Sequence, residues 1–143
     1  MRNPSVDVTV IHGTPASIPV LRALVSDFCE LVELNFEDTP DVRLCTTEAV
    51  TNVIRHAYAD GPGALRLRAD YQYGALEVVV RDEGCGHTLA SQDPGLGMGL
   101  ALIDKLCAHS TVTEHDEGGT EVVMRFECGP SGSQANPSVA RHS

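Results

Sequence analysis

The stretch Glu48-Ala49-Val50-Thr51-Asn52-Val53-Ile54-Arg55-His56 interleaves two helical spacings, and its reading decides the fold. At about 100° per residue, Ala49, Val50, Val53, Ile54 and Ala57 gather on one side, which a helix buries against a sheet. Glu48, Asn52 and Arg55 stand at i, i+4 and i+7, in one stripe along the edge of that side. A solvated stripe with a helix salt bridge would give the same spacing. Two glycine-spaced blocks downstream favour an edge that meets a ligand. The block Asp82-Glu83-Gly84-Cys85-Gly86 closes an apolar run, and Gly95-Leu96-Gly97-Met98-Gly99-Leu100 opens a helical one.

Outward from these blocks the pattern is regular. Val6, Val8 and Val10 alternate with polar residues, as a half-buried strand does, before Gly13-Thr14-Pro15 ends the run. Ile18, Leu21, Leu24, Val25, Phe28, Leu31, Val32 and Leu34 predict an amphipathic helix ending near Asn35, with a stripe that could also serve an interface. A second helix is expected from Asp41 to about Ala59, stopped by Asp60-Gly61-Pro62-Gly63. Residues 64–69 and 75–81 read as an antiparallel pair joined through Tyr71-Gln72-Tyr73-Gly74. A loop from Glu83 to Pro94 leads into a helix from about Met98 to Ala108. Residues 111–115 and 120–126 form a last hairpin across Glu117-Gly118-Gly119. The order β-α-α-β-β-α-β-β predicts an α/β two-layer sandwich: a mixed, mostly antiparallel sheet with helices on one face. One domain is expected over residues 1–128. Gly, Pro, Ser, Asn and Gln dominate residues 129–143, which read as a disordered tail.

Composition narrows the function classes. The chain has 143 residues, enough for one domain with a proper core. Ten Lys plus Arg against twenty Asp plus Glu give a net charge of −10, which repels nucleic acid and anionic membrane and attracts a basic protein partner. Cys29, Cys45, Cys85, Cys107 and Cys128 show no CxxC spacing for zinc or redox work, so free thiols in a reducing cytosol are expected. Met1-Arg2-Asn3-Pro4 carries no apolar signal core and no apolar run approaches the roughly 20 residues that span a bilayer. A soluble, cytoplasmic protein is the expectation.

The three blocks divide the work of holding a nucleotide. The Asn52 side-chain oxygen suits Mg²⁺, a hard cation that bridges to phosphate oxygens, and Arg55 can contact phosphate. Glu48, one turn before Asn52, can orient and deprotonate an attacking hydroxyl. His56, beside the apolar side, reads as a packed, hydrogen-bonded residue. Asp82 follows a strand directly, so it should lie at a strand end in the cleft. Its carboxylate accepts hydrogen bonds only and selects a base that offers an amino group, as adenine does. Gly84 and Gly86 remove the Cβ atoms that would crowd the base. Gly95, Leu96, Gly97, Met98, Gly99 and Leu100 put backbone N–H groups and a helix N-terminus at the phosphates. No Gly-Lys-Ser/Thr follows, which excludes P-loop chemistry, and the GxGxG spacing after a loop excludes a dinucleotide fingerprint.

Together these residues resemble the ATP-binding superfamily of gyrase, heat-shock chaperones and histidine kinases, and most of all the bacterial anti-sigma factor serine/threonine kinases. The resemblance covers residues 6–127. Glu48 and Asn52 match the family's N box, Asp82, Gly84 and Gly86 its first glycine box, and Gly95, Gly97 and Gly99 its second. Gly119-Thr120-Glu121-Val122 is similar to its terminal strand motif, whose Thr lies near the adenine. The resemblance implies ATP and Mg²⁺ as ligands, Glu48 as catalytic base, phosphorylation of Ser or Thr on an anti-anti-sigma (STAS-type) partner, and sequestration of a sigma factor by a homodimer. A module that binds ATP without turnover and regulates by protein contact alone is the alternative. The catalytic domain of a split histidine kinase is disfavoured, because upstream of the N box the only histidine is His12, in a strand-like segment.

Overall fold

The computed structural model describes residues 3–34, 37–57, 63–83, 101–115 and 118–127. The expected tail and the glycine-rich stretches after Glu83 lie outside them. Among the described residues stand strand β1 (Ser5–Val10), helices α1 (Ser17–Leu31) and α2 (Thr39–Asn52), and strands β2 (Leu65–Gln72), β3 (Ala75–Asp82), β4 (His109–Glu114) and β5 (Thr120–Glu127). Residues 101–106 are helical and are labelled α3. The five strands form one sheet in the order β1-β2-β3-β5-β4, and each of the four pairings is antiparallel. The two-layer α/β architecture is the one expected, but the sheet, expected to be mixed and mostly antiparallel, is antiparallel in every one of these pairings, because each neighbouring pair runs in opposite directions in the order β1-β2-β3-β5-β4.

Alternation along the strands makes the two faces. Leu65, Leu67 and Ala69 of β2, Leu76, Val78 and Val80 of β3, and Val122, Met124 and Phe126 of β5 are buried in one core with Leu21, Val25 and Phe28 of α1 and Val42, Cys45, Ala49 and Val50 of α2. Burying a large apolar side chain contributes about 1.5–3 kcal/mol, so this shared layer dominates the folding energy. The apolar stripe of α1 is therefore largely consumed within the chain. Leu31 and Val20 remain exposed.

Helix α1 stops at Leu31, three residues before the last expected apolar position. Glu33 is left-handed (φ 57), the Leu34 amide donates to the Cys29 carbonyl at 2.9 Å, and the Glu33 amide donates to the Glu30 carbonyl at 3.0 Å. This is a Schellman cap, and it folds Leu34 back into the core beyond the helix end. Strand β2 runs on to Gln72, leaving a two-residue turn at Tyr73 (φ 53) and Gly74 (φ 75). Two positive φ angles match the type I′ turn that suits hairpin twist.

Helix α2 starts with Pro40 in its first turn and Asp41 beside the amide end, both favourable there. It ends at Asn52, where the chain widens into a π-helical turn, Val53–Ala57. The Thr46 hydroxyl of α2 is buried with no hydrogen-bond partner among the described residues. A buried hydroxyl without a partner costs about 1–3 kcal/mol. Thr46→Val, which keeps the shape, should therefore raise stability by about 1 kcal/mol, read as a higher urea midpoint at unchanged slope.

Burial also fixes the thiols. It pushes Cys29 from an ordinary 9.0 up to about 11 and Cys45 up to about 12, and raises Cys107 as well. Such thiols are poor nucleophiles. The folded chain holds these protons more tightly than the unfolded one, so their stabilisation is full below about pH 9 and is lost as pH rises through the folded values. Melting temperature should fall above about pH 9, and the fall should be shallower in Cys29→Ala.

Candidate nucleotide site

Strand β3 is central, paired with β2 on one side and β5 on the other, and its last residue is Asp82. Because Leu65 lies opposite Asp82 across the β2 pairing, the acid occupies a core-facing position at the strand end. It is 2% exposed. The Thr120 backbone N–H donates to Asp82 Oδ1 at 3.2 Å, so the first residue of β5 holds one carboxylate oxygen in place. Thr120 is itself buried.

The turn before Thr120 explains how the strands come so close. Gly118 (φ 99) and Gly119 (φ 95) are both in the region that favours glycine, and the Gly119 carbonyl accepts from the His115 amide at 2.9 Å. A Cβ on Gly119 would collide with the carbonyl oxygen of Asp82. Gly119→Ala combines that collision with a backbone strain of about 1–3 kcal/mol. Stability should fall by at least about 2 kcal/mol in chemical denaturation, since neither backbone can yield without breaking the β3–β5 register.

Helix α2 and the π-helical turn that follows it pack against β3. Ala49, Val50, Val53 and Ile54 are buried, the side expected from the wheel. Glu48 is half-buried and Asn52, one α-turn later, is 7% exposed. The Nδ2 of Asn52 is buried with no hydrogen-bond partner among the described residues. A polar amide kept in a core without a partner is costly, about 1–3 kcal/mol, unless something else satisfies it. That donor suits a phosphate oxygen while the amide oxygen suits a hard cation. Arg55 falls inside the π-helical turn and is exposed, so the stripe running Glu48–Asn52–Arg55 keeps α-helical geometry only through Asn52. The side chain of His56 and the residues Gly84, Gly86, Gly95, Leu96, Gly97, Met98, Gly99 and Leu100 lie outside the described part of the chain.

The structure thus joins Asp82 and Thr120 directly and sets Glu48 and Asn52 on the helix packed against the same strand. Sequence reasoning missed three features. The π-helical turn leaves no mark in the hydrophobic period. The bond from Thr120 to Asp82 needed the β3–β5 register, and the Gly118-Gly119 pair was the one signal for it. The orphaned Thr46 hydroxyl reads in sequence as an ordinary helix residue.

An antiparallel sheet with helices packed on one face, a buried acid at the end of its central strand and a buried amide on a helix packed against that strand place the chain in the two-layer α/β class. Residues 11–126 match the family described as the histidine kinase-like ATPase domain, and the chain belongs to that family. Among its relatives is an anti-sigma F factor from Shouchella clausii (strain KSM-K16), 29% identical over 116 residues, spanning 73% of this chain and 80% of that protein. The serine-protein kinase RsbW of Bacillus licheniformis is 27% identical over 106 residues, spanning 73% of this chain and 62% of the relative. The crystal structure of the RsbU and RsbW domains of Rv1364c from Mycobacterium tuberculosis superposes with a TM-score of 0.66 at 18% identity, covering 87% of this chain and 32% of that one. That likeness is one of fold. Among the described residues no helix is long and apolar enough to cross a membrane.

Proposed function

We propose that this chain is an ATP-dependent serine/threonine protein kinase that also acts as an anti-sigma factor, phosphorylating an anti-anti-sigma partner and sequestering a sigma factor as a homodimer. The observation that carries the nucleotide reading is the buried Asp82 carboxylate held by the Thr120 amide. With Oδ1 fixed, the carboxylate presents an acceptor at a constant position, and adenine has the amino group that meets it. Guanine would set a carbonyl oxygen against it. The buried, unpartnered Asn52 amide supports a phosphate and Mg²⁺ at the helix end. Bound there, Mg²⁺ would neutralise phosphate charge.

Glu48 acts on the acceptor protein. Its carboxylate takes the proton from the serine or threonine hydroxyl as that oxygen bonds to the γ-phosphorus and the bond to the leaving ADP breaks. The residue stands on α2 one turn before Asn52, so base and phosphate anchor share one rigid element. Gly84, Gly86 and the Gly95–Gly99 block supply backbone room and N–H groups around base and phosphates, and Arg55 adds a cation at the phosphate end. The kinase assignment takes its substrate class from the serine-protein kinase and anti-sigma relatives. A basic partner surface suits a chain of net charge −10.

The test is transfer of labelled γ-phosphate from ATP to an anti-anti-sigma protein from the same genome. Label on serine or threonine is the expected result. Intact Mg·ATP binding without labelling of any such protein would leave the chain a nucleotide-dependent clamp. The nucleotide domain is assigned to residues 1–128, so deleting 129–143 should leave Mg·ADP affinity unchanged within about twofold.

A further inference from the structure

A groove of about 660 Å³ runs between α1 and α2 on the outer side of the helical layer. Its walls are Ala23 and Ser26 of α1 and Leu44 and Thr47 of α2, with Arg22 and Arg43 on the two rims and Asp27 beside them. On each helix these positions are three and four apart, so they share one face, turned away from core-facing Leu21, Val25 and Phe28 and from Val42 and Cys45. The walls are small or aliphatic. Leu44 is 41% exposed, and the Thr47 hydroxyl donates to the Arg43 carbonyl at 2.8 Å, so its polar atom is already bonded within α2. An open channel between two helices, walled by residues at this spacing, is the shape into which a third helix packs.

Charge tells which helix. On the open face of the sheet, Arg66, Arg68, Arg81 and Arg125 each stand 2.6–3.8 Å from a carboxylate, of Asp7, Asp70, Glu83 and Glu127. Arg22 and Arg43 form no such pair among the described residues, although the chain carries twenty Asp plus Glu. Two guanidinium groups against Asp27 leave the lining with a surplus of positive charge in a chain of net charge −10. A second copy of the chain would set two arginines and one aspartate against the same set, and cations would outnumber carboxylates across the contact. A helix bearing Asp or Glu beside its apolar seam meets both rims with opposite charge.

We infer that this groove is a docking site for an acidic amphipathic helix of a partner protein. The apolar seam of that helix lies on Ala23, Ser26, Leu44 and Thr47, and its carboxylates reach Arg22 and Arg43. The nucleotide assignment plays no part in it.

The test is selection from a displayed library of helical peptides on the full chain, with counter-selection on Arg22→Glu/Arg43→Glu. Net charge alone would enrich basic peptides, so an acidic consensus is the deciding result. Retained sequences are expected to repeat apolar residues three and four apart with Asp or Glu beside them. In the ¹⁵N-labelled parent such a peptide should give saturable shifts at Ala23, Ser26, Leu44 and Thr47. Its affinity should fall at least about tenfold in Arg22→Gln/Arg43→Gln, with the fold intact by circular dichroism, and stay at the parent value in Arg125→Gln. Retention of basic peptides, of none that tells parent from variant, or of peptides whose shifts fall elsewhere overturns the site. Self-association of the peptide-free chain through the same four residues also overturns it, and assigns the groove to a second copy.

Discussion

Glu48→Ala should lower phosphotransfer to the protein partner by about 10²–10⁴-fold while Mg·ATP binds within about threefold of the parent. The asymmetry follows from the residue's place. Glu48 is half-buried on α2, its neighbours Ala49 and Val50 carry the packing, and alanine is the best helix former, so the helix should survive the change. The nucleotide contacts proposed above are those of Asn52 and Asp82, which the substitution does not touch. Loss of rate with affinity retained identifies Glu48 as the base. If regulation of the sigma factor and partner labelling both persist in Glu48→Ala, the base is another group. If labelling is absent from the parent too, the chain is a contact regulator.

Asp82→Asn should weaken Mg·ADP binding by about ten- to hundredfold, the value of a hydrogen bond to a charged group at roughly 1.5–3 kcal/mol. The amide is nearly isosteric, and its oxygen can still accept from the Thr120 N–H, so the β3–β5 contact that positions residue 82 remains. What changes is charge and the acceptor-only character of the group. An amide can rotate to present its NH₂, which tolerates the guanine carbonyl. The variant should therefore lose discrimination between adenine and guanine as well as affinity, and isothermal titration with both diphosphates reads the two effects together. A variant whose affinity falls equally for both bases would show Asp82 to be a structural residue.

Legibility in the sequence depends on range. The strands were readable because Leu65-Arg66-Leu67-Arg68 and Val122-Val123-Met124-Arg125-Phe126 alternate with period two, and the buried members are the ones that alternation marks. The core side of α2 was equally legible. Helix ends were not: Glu33 in the left-handed region ends α1 early, and no residue preference announces a glutamate there. The π-helical turn after Asn52, which packs against β3, was also silent, since it leaves the hydrophobic spacing of the helix unchanged. At the site, Asp82 could be placed at a strand end from Leu76–Arg81 alone. Its partner Thr120 lies 38 residues away in sequence, and only the antiparallel register brings the two together. The open-face arginines obey the same limit, for Arg66 and Arg81 are opposed only once β2 and β3 are paired.

Central to the proposed function is a pocket in which a buried carboxylate at the end of β3 chooses the base. Calorimetric titration of the parent protein with Mg·ADP and with Mg·GDP tests this most directly. Preference for Mg·ADP by at least about tenfold is the predicted result, one well-made hydrogen bond's worth of discrimination. Equal affinity for the two, or binding of neither, would contradict it.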